Sequence, residues 1–327
     1  MKYPKFLNSD STIGITAPSA GVGKYSNDFD KSINNIKKYY KNIIETPNVR
    51  CEGEVSSKPN IRAKELQELF ENEKVDMIMC ATGGDFLTDM LPYINYEVIE
   101  KHPKWIMGAS DPTNLLFTIT TNLDIATIYG HNAASFDSES LYESQKIALN
   151  YLSGNISKQN SYPKYENDKD HRINGNYNLD KEVYWLSDNR IDITGRLIGG
   201  CIDCLRYLPG TKYDKTTMFI EKYKEDGIIW YFDIFNMSAE DFYLTLFQLK
   251  EAGWFKYTKG IIIGRVFIPS SFTSMTYKRA VQEMLKDIPI ILDADIGHVC
   301  PKMTLINGCL AHITCENGKG YIEQELK

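Results

Sequence analysis

Short apolar runs alternate with helix-period stretches over the first 130 residues. Thr12 to Ala17, Val75 to Ala81, Trp105 to Gly108 and Ile125 to Tyr129 read as buried strands. Between them, Phe29, Ile33, Ile36 and Tyr40 mark one helical face, Asn60 caps a second helix carrying Leu66, Leu69 and Phe70, and Pro112 opens a third. This alternation predicts an α/β fold with a parallel sheet and helices on both of its faces. In such folds ligands bind beyond the carboxyl ends of the strands, where Pro18-Ser19, Gly83-Gly84 and Ser110 fall. From Ser153 to Asp180 the chain turns polar and poor in aliphatic residues, which places a domain boundary there.

Beyond the boundary, Ile228 to Asp233 reads as a strand ending in a carboxylate. Ser238 with Asp241 starts a helix that runs to about Ala252 and stops at Gly253. Gly260 to Gly264 and Pro289 to Asp293 are further strands, and Met303 to Ile306, Ala311 to Thr314 and Tyr321 to Glu323 form a β-rich end. No internal repeat or low-complexity tract appears.

A chain of 327 residues exceeds the usual single-domain size, so two domains are expected. The longest apolar runs, such as Gly260 to Val266, are too short to span a bilayer, and Met1 to Asp10 is polar, which predicts a soluble cytoplasmic protein. Seven cysteines scattered among apolar neighbours suit reduced core thiols in a reducing compartment. A net charge of -6 with interspersed signs argues against a nucleic-acid partner and for small-molecule or peptide chemistry.

Ser110 is the candidate nucleophile. A strand ending at Gly108 delivers it to a sharp turn before Pro112, beside helical N–H groups able to hold an oxyanion; a serine that merely caps a helix would look the same. Of the five histidines, His102, His131, His171, His298 and His312, the best candidate base is His298, in the irregular segment Asp295 to Pro301 after a buried strand. His131, after the strand ending at Tyr129, is second; its alternative is a packed loop histidine. His171 lies in the polar linker and His312 inside a strand pattern. Asp233 is the candidate orienting acid, with Asp111 a weaker rival expected to contact the N–H groups of its own helix.

Gly83-Gly84-Asp85 suits close backbone approach and the donation of N–H groups to an oxyanion or a phosphate. The chain lacks the Gly-x-Gly-x-x-Gly fingerprint and any phosphate-binding Gly-Lys-Ser/Thr loop, so no nucleotide cofactor is expected. Cys201-x-x-Cys204 has no second cysteine pair and no nearby histidine to complete a metal site, so it reads as structural thiols and no metal is expected.

The order of these segments resembles the serine LD-carboxypeptidase family, which includes murein tetrapeptide carboxypeptidases and microcin C self-immunity peptidases. The resemblance rests on Ala17-Pro18-Ser19, Arg62, Gly83-Gly84 followed by Leu91-Pro92-Tyr93-Ile94, Gly108-Ala109-Ser110-Asp111, Gly195 to Gly200, and Gly297-His298 with Pro301 and Thr304-Leu305. It covers nearly the whole chain, and Asp293 to Pro301 with Leu91 to Ile94 look closer to the microcin-immunity branch.

The resemblance implies a flavodoxin-like N-terminal domain over 1–160, a linker over 161–190 and a C-terminal swivelling β/α domain over 191–327. It implies Ser110 as nucleophile, His298 as base, and oxyanion donors on the backbone around Gly84 and Asp111, with the site between the domains. It also implies a homodimer. Where relatives carry a glutamate, this chain has Asp233, so the His298 contact requires a backbone shift of about one C–C bond length. Cys201 and Asp203 depart from relatives that often have Asn after the paired glycines.

The expected activity is that of a serine peptidase or amidase cleaving a small peptide or an aminoacyl-nucleotide amide, and Tyr184 and Trp185 either stack a nucleobase or, like most aromatic residues, belong to the core. The alternatives are a binding protein of the same fold, impaired by its shorter acid, and a nucleotide-dependent α/β enzyme.

Overall fold

A computed structural model describes residues 1–166 and 176–327. The first sheet is built from β1 (Thr12–Thr16), β2 (Asn42–Glu45), β3 (Met77–Cys80), β4 (Trp105–Gly108) and β5 (Thr127–Tyr129), in the order β2-β1-β3-β4-β5 and all parallel. Between the strands run α1 (Ser26–Lys37), α2 (Pro59–Glu71), α3 (Tyr96–Lys101) and α4 (Thr113–Leu123). Helices on both faces bury β3 and β4 along their whole length, which is why their sequences are continuously apolar. The edge strand β2 escapes sequence reading because its side chains are half or fully exposed and offer only Ile43 and Ile44 as an apolar signal.

Two helix starts differ from expectation. α2 begins at Pro59, with Lys58 as its N-cap, so Asn60 lies inside the helix; a proline, whose own N–H is absent, suits that first position. Pro112 is the N-cap of α4.

After α5 (Glu143–Tyr151) come β6 (Gln159–Asn160) and the hairpin of β7 (Lys164–Glu166) with β8 (Leu179–Glu182). The second sheet adds β9 (Ile191–Cys201), β10 (Ile228–Asp233), β11 (Thr258–Gly264), β12 (Ile290–Ala294), β14 (Leu310–Glu316) and β15 (Lys319–Glu325) in the order β12-β11-β10-β9-β14-β15-β6. Strands β9 to β12 are parallel, and β14, β15 and β6 are antiparallel additions. The polar stretch therefore supplies an edge strand to the second sheet. Conversely β13 (Leu305–Asn307), from the C-terminal part of the chain, pairs antiparallel with β5 and closes the edge of the first sheet, with Leu305 opposite Tyr129.

α4 packs on β4 and β5 on one side and on β9 on the other. It is buried from Thr113 to Thr121, and Phe117 stacks on Trp254 at 5.1 Å and on Trp230 at 6.4 Å. A helix buried on most of its faces, its threonine and asparagine residues included, occupies such a position between layers. Its N-terminus, where Ser110 stands, is thereby held by both domains.

Candidate active site

Ser110 leaves β4 in the left-handed region, at φ +67, a conformation costing a non-glycine residue on the order of 1 kcal/mol. The turn is held from every side. Ser110 O accepts from Thr113 N at 2.9 Å and from Thr113 Oγ1 at 2.6 Å, and Asn132 bonds both backbone groups of Ala109. Ser110 N–H donates to the Tyr129 hydroxyl at 3.2 Å. The side chain is thus presented at the carboxyl edge of the sheet.

His298 reaches it from the other domain, with Nε2 3.0 Å from Ser110 Oγ. Its Nδ1 lies 2.8 Å from Asp233 Oδ2, and its backbone N–H donates to Asp233 Oδ1 at 3.2 Å. The shorter acid makes contact because Gly297, at φ +97, sets its backbone against the carboxylate: a Cβ there would overlap Asp233 Oδ1 and Cγ. Phe235 and Phe267 flank the imidazole, at 4.7 and 5.9 Å between ring centres.

Asp233 is fully buried at the end of β10. Burial alone would raise its pKa, but the His298 ring and hydrogen bonds from His298 and Tyr129 outweigh it and hold the carboxyl below its ordinary range. The loop after β10 is pinned by Asp203, which accepts N–H groups from Phe235, Asn236 and Met237, and Ser238 caps the helix Ala239–Glu251 through Asp241 N. The segment bearing His298 is anchored by Asp295, which accepts from Arg265 at 2.6 Å, from Trp185 Nε1 at 2.9 Å and from Tyr162 N at 3.0 Å.

Tyr129 is the residue that sequence reading missed. Its hydroxyl donates to Asp233 Oδ2 at 2.6 Å while accepting from Ser110 N–H, so it bridges Asp233 and Ser110. Burial and the adjacent Asp233 charge push that hydroxyl well above its ordinary value, so it keeps its proton. The one available signal was a hydroxyl-bearing ring at the end of a buried strand.

The glycine loop lies opposite. Gly83 abuts Ser110, and Gly84, at φ +152, abuts Ser19 so closely that a Cβ would overlap Ser19 Oγ. Among the described residues, the N–H groups of Gly84 and Asp111 find no internal acceptor. Asp85 is exposed at the cavity wall.

The Asp111 carboxylate does not serve its own helix as expected; it accepts from Ser19 Oγ and from Leu87 N at 2.8 Å, tying the loops after β1 and β3 to the turn at Ser110. Burial raises its pKa despite those bonds. Arg62, also buried, donates to Ser57 O, Pro18 O, Phe86 O and Asp89, stapling the same loops from α2.

These groups open on a cavity of about 700 Å³ between the domains, walled by aromatic residues including Tyr25, Tyr207, Phe235 and Phe267. His131 also borders it, but its ring packs on Phe136 and makes no hydrogen bond among the described residues, and burial, with Lys302 nearby, holds the imidazole well below its ordinary value. His102 is exposed at the end of α3, His312 pairs with Asp192 at 2.8 Å, and His171 lies outside the described residues.

Two expectations are corrected. Trp185 is fully buried and bonded to Asp295, and neither it nor Tyr184 borders the cavity, so neither is placed to stack a base. Cys201 does have a histidine near it: the fold sets its Sγ, an Asp233 oxygen and a His298 ring nitrogen all within 4.8 Å of one another.

A two-domain α/β fold brings a serine, a histidine and a carboxylate together between its sheets, and two stretches of the sequence assign its class. Residues 13–130 match the N-terminal domain and residues 194–313 the C-terminal domain of LD-carboxypeptidases; the chain belongs to that family. It is similar to the microcin C7 self-immunity protein of Escherichia coli, at 28% identity over 78% of this chain and 76% of that protein. The solved structure of the microcin C7 self-immunity protein in complex with aspartyl sulfamoyl adenosine superposes with a TM-score of 0.84 at 22% identity, covering 100% of both chains. The muramoyltetrapeptide carboxypeptidase of Oxalobacter formigenes gives 0.74 at 20% identity, covering 96% of this chain and 98% of that one.

Proposed function

We propose that the protein is a serine hydrolase that cleaves an acyl–nitrogen bond in a small peptide or an aminoacyl nucleotide. The observation that carries this reading is the 3.0 Å approach of His298 Nε2 to Ser110 Oγ, with Asp233 behind Nδ1. Ser110 Oγ attacks the carbonyl while His298 Nε2 takes its proton and later delivers it to the leaving nitrogen. Asp233 keeps the ring proton on Nδ1 and stabilises the imidazolium. The N–H groups of Gly84 and Asp111 hold the oxyanion, since Ser110 N–H is already engaged by Tyr129.

A cavity of about 700 Å³ with aromatic walls suits a ligand of aminoacyl-nucleotide or tetrapeptide size. The bound aspartyl sulfamoyl adenosine of the self-immunity protein supports the first. The contact between Asp233 and His298 favours a competent enzyme over an impaired binding protein. Mass spectrometry of wild-type protein offered a murein tetrapeptide and aspartyl sulfamoyl adenosine tests the reading. Release of the terminal D-residue or of free aspartate supports it and selects the branch; binding of either without turnover returns the impaired-protein reading.

Two variants probe the support of this constellation. Gly297→Ala forces a methyl group into the Asp233 carboxylate at a positive φ, so kcat should fall by at least about 100-fold, with a stability loss of about 2 kcal/mol visible in thermal melts. An unchanged kcat would mean that the Gly297 approach does not position His298. Tyr129→Phe leaves Ser110 N–H without its acceptor and removes one donor from Asp233; kcat should drop about 10-fold with KM little changed. A rise in KM alone would assign Tyr129 to substrate binding instead.

A further inference from the structure

Cys201 and Asp233 end neighbouring parallel strands and are register partners across β9 and β10, so their side chains leave the sheet side by side. The loop after β12 brings His298 over them. The result is one sulfur, one carboxylate and one imidazole donor within 4.8 Å of one another, buried but opening at Cys201 and His298 onto the cavity. A sulfur–nitrogen–oxygen set matches the preferences of zinc and other thiophilic divalent ions and disfavours magnesium and calcium, which seek oxygen alone.

We propose that Cys201, Asp233 and His298 form an inhibitory site for a thiophilic divalent cation, zinc foremost, held by Cys201 Sγ, an Asp233 oxygen and His298 Nδ1. The inhibition rests on the hydrolase reading above; the binding does not. On binding, the Cys201 thiol releases its proton to solvent as the sulfur–metal bond forms. His298 stays neutral and moves its ring proton from Nδ1 to Nε2, because the Nδ1 lone pair now faces the metal. A protonated Nε2 cannot accept the Ser110 proton, so the ion and the general base exclude each other.

Geometry adds a second effect. Two ligands about 2.0–2.1 Å from a tetrahedral zinc stand about 3.4 Å apart. The present Nδ1–Oδ2 separation is 2.8 Å, so the ring must move and its alignment on Ser110 changes. The cavity side leaves the fourth position to water.

The test uses the full chain, stripped with a chelator and then dialysed against zinc. One equivalent should bind, and zinc-edge X-ray absorption should find a single sulfur among nitrogen and oxygen neighbours. Cobalt should give a thiolate charge-transfer band that is lost in both Cys201→Ser and Cys201→Asn, with zinc affinity down at least about 100-fold. Hydrolysis by wild type should stop at one equivalent and return on chelation, and whatever activity the variants keep should ignore zinc; magnesium and calcium should do nothing.

Failure to bind zinc, a coordination shell without sulfur, or a cobalt band that survives in a folded Cys201 variant overturns the site. Zinc bound at Cys201 with hydrolysis undiminished overturns the inhibition. Because dialysis and absorption need no turnover, a protein that hydrolyses neither substrate still decides whether the site exists.

Discussion

Ser110→Ala should lower hydrolysis on the order of 10⁴-fold or more, with substrate affinity unchanged within a few-fold. The hydroxyl removed is the one 3.0 Å from His298 Nε2, and among the described residues no other hydroxyl makes that contact. The turn itself should survive, because Thr113, Asn132 and Tyr129 hold the backbone of residues 109–110 without using the Ser110 side chain. Alanine also tolerates the left-handed position about as poorly as serine, so stability should move little. Initial rates by mass spectrometry, paired with calorimetric binding of the same substrate, check both halves. Activity within about 10-fold of wild type would remove Ser110 as nucleophile and overturn the serine-hydrolase reading.

Asp233→Asn should cost about 10⁴-fold in kcat while preserving the fold. The carboxylate accepts the Tyr129 hydroxyl at Oδ2 and the His298 backbone N–H at Oδ1, and His298 Nδ1 stands 2.8 Å from Oδ2. An asparagine must turn its NH₂ toward one of these groups. Facing Nδ1, it makes that atom an acceptor and drives the ring proton to Nε2, where the base function is lost. Facing the His298 N–H, it sets two donors against each other and loosens the loop.

Asp233→Glu should also harm rather than improve the enzyme, because Gly297 leaves no room for another methylene at a fully buried position. A gain of activity in Asp233→Glu would show that the aspartate is a defect. The same residue predicts a pH signature in stability. Its folded pKa lies below the unfolded value of about 3.9, so its contribution is complete above that value and is lost as pH falls through the folded one. Wild type should therefore lose melting temperature over that acid window more steeply than Asp233→Asn.

Strands β1, β3, β4, β10 and β11 are readable as sequence because parallel strands between helical layers must be apolar on both faces, and their ends carry Ser110 and Asp233 into view. Edge strand β2 is not readable, because an edge needs little burial and so leaves little pattern. Nor is the destination of β13, since three apolar residues fit either sheet and only long-range pairing sends them to β5. Trp185 shows the same limit: a tryptophan at a polar boundary looks like a ligand platform, yet its indole N–H is used to hold Asp295.

By itself the sequence determined the two-domain α/β order, the serine and the carboxylate at strand ends and the histidine in a loop beyond a strand. These follow from local periodicity and turn chemistry, which act over a few residues. Only the tertiary structure decided that Tyr129 joins Ser110 to Asp233, that Gly297 lets an aspartate reach His298, and that Cys201 lies against both His298 and Asp233. Those contacts join residues 19 to 104 apart in the chain. They depend on strand register and on the packing of one domain against the other, which no local pattern encodes.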